Sequence, residues 1–149
     1  MRFLQNHPLF LEKVYRSTSA LLRPLRRWLI PGGAVERVFV ETERLSKGAI
    51  FDCRMCGQCI LHSTGMTCPM TCPKTMRNGP CGGVRPDGHC EVFPSMPCVW
   101  LQAWERSKAM PGYGEEILIL QPPVNHRLKD TSAWINDLNP PVPILPKGW

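Results

Sequence analysis

Apolar residues recur at Leu11, Val14, Tyr15, Leu21, Leu22, Leu25, Trp28 and Leu29, close to the i, i+3, i+4, i+7 spacing of one helical face. The pattern predicts helix over residues 9–30. Pro24 either divides it or opens a second helix at its first turn, and Pro31-Gly32-Gly33 ends it. A second stripe of Val35, Val38, Phe39, Thr42 and Leu45 predicts helix over residues 34–47, stopped at Gly48. Val38-Phe39-Val40 also has the β-branched and aromatic character of a strand, but the longer stripe favours helix. Trp100, Ala103, Trp104 and Ser107 share a face of a third helix expected over residues 97–109, ended by Pro111-Gly112. The apolar run at residues 116–120 reads as a strand or an extended packing segment. Thr131 or Ser132 is placed to cap a short helix over residues 133–138.

Between residues 50 and 98 the periodicity gives way to glycine and proline set among cysteines, so loops are expected there. The last eleven residues, 139–149, are too rich in proline for helix or central strand and read as an extended arm. Four regions result: an N-terminal helical arm over 1–49, a cysteine-rich centre over 50–98, a helical and extended segment over 99–138, and the proline-rich tail. The fold class expected is a small α-rich, loop-rich, metal-stabilised domain, with an irregular centre flanked by N-terminal helices and an extended C-terminal arm. Of the 149 residues 43% are hydrophobic, which permits a core, while 16 prolines and 12 glycines limit regular structure.

Of the net charge of +6, the first 47 residues carry +5, with nine Lys and Arg against four Asp and Glu. Arg16, Arg23, Arg26 and Arg27 form a basic face on the first helix, read as solvated or turned to a partner. Few aromatic residues lie between these charges and no nucleic-acid motif accompanies them, so nucleic acid is not an expected partner. No apolar run is long enough to span a bilayer. The opening residues contain no uninterrupted apolar stretch followed by a cleavage pattern. With an oxidation-sensitive site, this suggests a cytoplasmic protein.

All eight cysteines lie between Cys53 and Cys98: Cys53, Cys56, Cys59, Cys68, Cys72, Cys81, Cys90 and Cys98. The first three form C-x-x-C-x-x-C, which sets three thiolates on one tight loop and suits three corners of a cubane iron–sulfur cluster. Structural zinc more often takes cysteine pairs from two separate loops. Disulfides are the other use of an even count, but the close spacing and the cysteine-free arms argue for metal. Gly57, Gly79, Gly82 and Gly83 would let backbone N–H groups approach sulfur, and Cys68-Pro69 and Cys72-Pro73 repeat the Cys-Pro step of bacterial ferredoxins. The count permits two 4Fe-4S clusters of four cysteines each. Spacing alone does not divide the set beyond keeping Cys53, Cys56 and Cys59 together. One 4Fe-4S cluster plus zinc, or zinc only, remains open. His62 and His89 flank cysteines and read as neighbours rather than ligands. Met55, Met66, Met70, Met76 and Met96 read as an apolar shell that keeps water away.

No nucleophile–base pair and no phosphate loop stands out, so no catalytic residue is assigned. The string from Cys53 through Gly65-Met-Thr-Cys68-Pro-Met-Thr-Cys72-Pro-Lys74, Asn78-Gly-Pro-Cys81-Gly-Gly83 and Gly88-His-Cys90-Glu91 resembles the methylenetetrahydrofolate reductase C-terminal domain family. That family includes the small metal-binding subunit of the reductases of acetogenic bacteria. The resemblance extends through Cys98-Val-Trp100 and, more weakly, Thr131-Ser132-Ala133-Trp134. It implies that all eight cysteines are metal ligands. It also implies a flavin-binding TIM-barrel partner subunit, and a further redox partner fits the same scheme. A barrel of about 250 residues does not fit in this chain, so flavin and folate would lie on another polypeptide. The function expected is an accessory iron–sulfur electron-transfer subunit that is not catalytic alone. The alternatives are a structural zinc module that clamps the catalytic subunit and, ranked low, a basic zinc-binding nucleic-acid adaptor.

Overall fold

The structure, a computed structural model, describes residues 2–140. Four α-helices carry it: α1 (Pro8–Leu22), α2 (Ala34–Phe51), α3 (Val99–Ser107) and α4 (Ala133–Leu138). Among the described residues there is no sheet, only two isolated antiparallel bridges, Val84 to Cys90 and His89 to Pro97. The α-rich, loop-rich class is the one the sequence predicts.

Pro8 opens α1, where its missing N–H costs nothing. At Pro24 the chain tightens into a 3-10 turn over Arg23–Arg27, so the helix expected over residues 9–30 divides at the proline. The second helix runs past its expected stop. Gly48 lies inside α2, and Asp52 takes the left-handed cap at φ 53°. An interior glycine costs about 1 kcal/mol, less than burying Phe51 returns. The carbonyl of Ile50 also accepts a 2.5 Å hydrogen bond from Gln5 Nε2. In α3, Val99, Trp100, Ala103 and Ser107 are buried, whereas Trp104 lies largely outside the expected face. Ser132 caps α4 as expected, its hydroxyl accepting from Ile135 N.

The segment over residues 116–120 is not a strand, and only its first two residues are partly buried. It lies in a 3-10 turn over Gly114–Leu118, leaving Leu118, Ile119 and Leu120 exposed. The physical reason is Glu116, whose carboxylate bonds His62 Nδ1 at 2.5 Å and Ser63 Oγ at 2.8 Å. That anchor bends the run, and no neighbouring strand offers it a ladder. Of the proline-rich tail, Asn139 donates to the Leu29 carbonyl at 2.7 Å. The rest of that expected arm, residues 141–149, lies outside the described residues.

Two apolar clusters hold the helices to the loops. Leu11, Phe51, Leu61, Met66, Cys68 and Met110 form the larger, which packs α1 and α2 against the cysteine-bearing loops. Leu22, Leu29 and Ile135 form the smaller, where α4 meets the end of α1. Arg106 ties α3 to the N-terminus through Gln5 and Asn6 and to the centre through Thr67. Much apolar surface stays outside: Leu21, Trp28, Val38 and Leu45 are all at least two-thirds exposed. No helix among the described residues is long and apolar enough to cross a membrane.

Candidate metal centre

The C-x-x-C-x-x-C loop begins where α2 ends, and three successive positive-φ residues coil it: Asp52, Met55 and Gly57. Gly57 is required here. A Cβ at this position would lie 2.0 Å from the Leu128 carbonyl oxygen. The loop is clamped from outside by distant parts of the chain. Asn136 Nδ2 donates to the Gly57 carbonyl at 2.9 Å, and Asp130 N donates to the Met55 carbonyl at 2.8 Å. Gln58 accepts from Asn125 N at its side chain and from Arg77 Nη2 at its carbonyl. Three thiols are thereby set on a loop whose shape is fixed by residues 77 and 125–136.

The structure brings the eight cysteines together in two sets. Cys53, Cys56, Cys59 and Cys68 line one small cavity. Cys72, Cys81, Cys90 and Cys98 line a second. No cysteine lines both, and all eight are free thiols. The division follows chain order. A single 3-10 turn over Pro69–Thr71 separates the last cysteine of the first set from the first of the second. The two isolated bridges bring Cys90 and Cys98 to the second chamber: Cys90 N donates to the Met96 carbonyl and Cys98 N to the Gly88 carbonyl. Among the described residues, no group of three or more His, Cys, Asp or Glu side chains is placed to hold a metal ion.

Cys68, in the first chamber, is the one buried cysteine of the eight. Burial raises the pKa of Cys53 and of Cys59, and pushes the Cys68 thiol up to about 12 with the neighbouring Cys53 thiol adding to it. Opposing influences are the Met55 N–H on Cys53, Lys47 on Cys59 and the Met70 N–H on Cys68. With their pKa values raised, Cys53, Cys59 and Cys68 stay protonated at neutral pH. A metal that takes them as thiolates must displace their protons. Met55 and Met70 line this chamber and Met96 the second, while Met66 is fully buried against the first apolar cluster. Trp100 closes the second chamber, its indole N–H donating to the Met76 carbonyl at 3.0 Å.

His62 and His89 line neither chamber. His62 is held by Glu116 and packed between Tyr15 and Tyr113, and His89 turns outward to Asp87. Charged residues that the sequence did not single out do line the first chamber: Glu43, Lys47 and Arg77. Glu43 and Lys47 stand at i, i+4 on a helix, which in a sequence looks like any surface ion pair. Arg77 lies in a loop with no periodic signal at all. Only the long-range contacts reveal them.

A family model described as the C-terminal part of methylene-tetrahydrofolate reductase matches residues 33–127. No curated relative and no solved structure matches the chain. The matched span takes in α2, both sets of cysteines and α3, and leaves α1 and α4 outside. By that match over more than half of its length, the chain belongs to the methylenetetrahydrofolate reductase C-terminal family.

Proposed function

We propose that this chain is an accessory electron-transfer subunit of a methylenetetrahydrofolate reductase complex. One 4Fe-4S cluster would be held by Cys53, Cys56, Cys59 and Cys68, and another by Cys72, Cys81, Cys90 and Cys98. The single observation that carries this reading is the division of eight thiols into two sets of four, each around its own space.

The donor set fits the group. In a tetrahedral zinc site four sulfurs stand about 2.3 Å from one point. A cubane binds each thiolate to a different iron, so its ligands surround a volume instead of meeting at a point. Four thiols line each of two separate cavities, which supports the second arrangement. A second observation supports the fit: Arg77 lines the first chamber, and its Nη1 is buried with no hydrogen-bond partner. A buried guanidinium N–H without an acceptor is costly, and cluster sulfur would supply one.

When bound, the clusters supply one-electron storage. The chain's own residues do the rest. Cysteine thiolates fix the two positions, Met55, Met70 and Trp100 exclude water, and the helices around them present apolar surface to a partner. The flavin-bearing barrel that accepts or donates the electrons would be a partner, since the described residues hold helices and no sheet from which to build one. Purification without oxygen, with iron, zinc and acid-labile sulfide measured together, tests the reading. About eight irons per chain and absorption near 400 nm are expected from two clusters. A colourless protein holding zinc alone would replace the electron carrier with a structural clamp.

A further inference from the structure

The two chambers differ in the charge built into their walls. Lys47 and Arg77 both line the first. The Lys47 side chain is 11% exposed and its ammonium donates to Glu43 Oε2 at 2.7 Å. The Glu43 carboxylate is shared. It also accepts from Ser132 Oγ at 2.6 Å, Trp134 N at 3.1 Å and Ala133 N at 3.3 Å, so much of its charge is answered by the start of α4. Arg77 donates Nε to the Pro122 carbonyl and Nη2 to the Gln58 carbonyl, which leaves Nη1 unused. The wall of the first chamber thus holds two buried cations against one buried carboxylate that protein donors already satisfy. In the second, Lys74 and Glu91 bond one another with about two-fifths of each side chain exposed. That pair is neutral as a unit and screened by water.

Resting on the two-cluster reading above, we infer that Lys47 and Arg77 raise the reduction potential of the group in the first chamber above that of the group in the second. The first chamber is then where an electron rests, and the second is the way in or out. Reduction adds one negative charge to a cluster. A buried cation stabilises that charge more than an exposed ion pair does, because the interior screens it less. An N–H donated to cluster sulfur acts in the same direction. Lys47 lines the same chamber as the four thiols. Both residues act through the group they flank and are positioning residues.

The test is a dithionite titration of the anaerobically loaded full-length chain, followed by electron paramagnetic resonance, in wild type, Lys47→Met, Arg77→Met and Lys47→Arg. The higher of two midpoint potentials should fall by at least about 59 mV in each Met variant, a tenfold change in a one-electron equilibrium. The lower potential should stay put, and Lys47→Arg should keep the wild-type values. In Cys98→Ser, which lacks a ligand of the second site, the surviving centre should keep the higher potential. The inference is overturned if iron-replete Met variants show unmoved potentials, if the lower potential is the one that shifts, or if the centre surviving in Cys98→Ser is the low-potential one. If a Met variant does not retain iron, Lys47→Gln and Arg77→Gln carry the same expectation, and loss of iron in all neutral variants would make both residues structural and end the inference. Failure of the two-cluster reading is seen separately, as absence of iron from the wild type.

Discussion

Cys68 shows how far one residue's surroundings can depart from what its neighbours in sequence suggest. It sits in a Cys-Pro step like Cys72, four residues away, yet it alone of the two is fully buried, packed into the apolar cluster with Leu11, Phe51 and Met66. Burial raises its thiol to about 12, so in the metal-free reduced protein it remains protonated through the range where ordinary thiols ionise. Only the thiolate alkylates. Iodoacetamide mapping of the metal-free chain should therefore find Cys68 among the last thiols modified. Its rate should climb about tenfold per pH unit beyond pH 9, still rising where a free thiol near 8.5 has levelled off. A Cys68 rate that plateaus near pH 9 would show the site to be open. The C-x-x-C-x-x-C spacing made the tripod legible in the sequence. The burial of Cys68 was not, because the residues around it come from α1, α2 and the loop before Gly112.

At the level of elements, the capping of α4 by Ser132 was legible because a cap is a local event. The attachment of that helix was not. Glu43, on the middle of α2, receives the hydroxyl of Ser132 and the first N–H groups of α4 while pairing with Lys47. One carboxylate thus joins two helices some ninety positions apart in sequence. Removing it leaves a buried ammonium and orphaned N–H groups together. Glu43→Ala should lower stability by about 3–5 kcal/mol, read as a fall in melting temperature at constant metal load. Glu43→Gln, which keeps an acceptor, should cost less. A melting temperature unchanged in Glu43→Ala would mean that α4 is held by Ile135 and Leu22 alone. The misreadings elsewhere have the same origin. Gly48 looked like a stop and residues 116–120 like a strand because periodicity and composition are local, whereas Phe51 burial and the His62–Glu116 contact are not.

For the whole molecule, the partition of cysteines predicts independent loss. Cys56→Ser should remove about half of the bound metal and leave the Cys72–Cys98 set loaded, and Cys98→Ser should do the converse. Metal analysis that shows both sets emptied by either change would mean a single shared centre. The exposed apolar residues of the N-terminal half predict a second behaviour. Such surface marks a partner site, and Trp28 is 77% and Leu45 74% exposed. Trp28→Glu and Leu45→Glu should each reduce co-purification of a flavoprotein barrel subunit at least tenfold with metal content unchanged. Retention at wild-type levels would move the interface elsewhere. The sequence pointed to the family and to the eight sulfurs. The two-way division needed three dimensions, since only the fold shows which loops face one another. That division has a consequence for how the protein is made. The wall of the second chamber is drawn wholly from residues 72–100, a contiguous stretch, whereas the first chamber takes its ligands early and two of its wall residues, Thr131 and Ala133, from near the end. As the chain leaves the ribosome, the second pocket is finished first although its cysteines emerge later. The first stays open beside its four thiols until α4 arrives, and on the two-cluster proposal it would be the later of the two sites to be closed over.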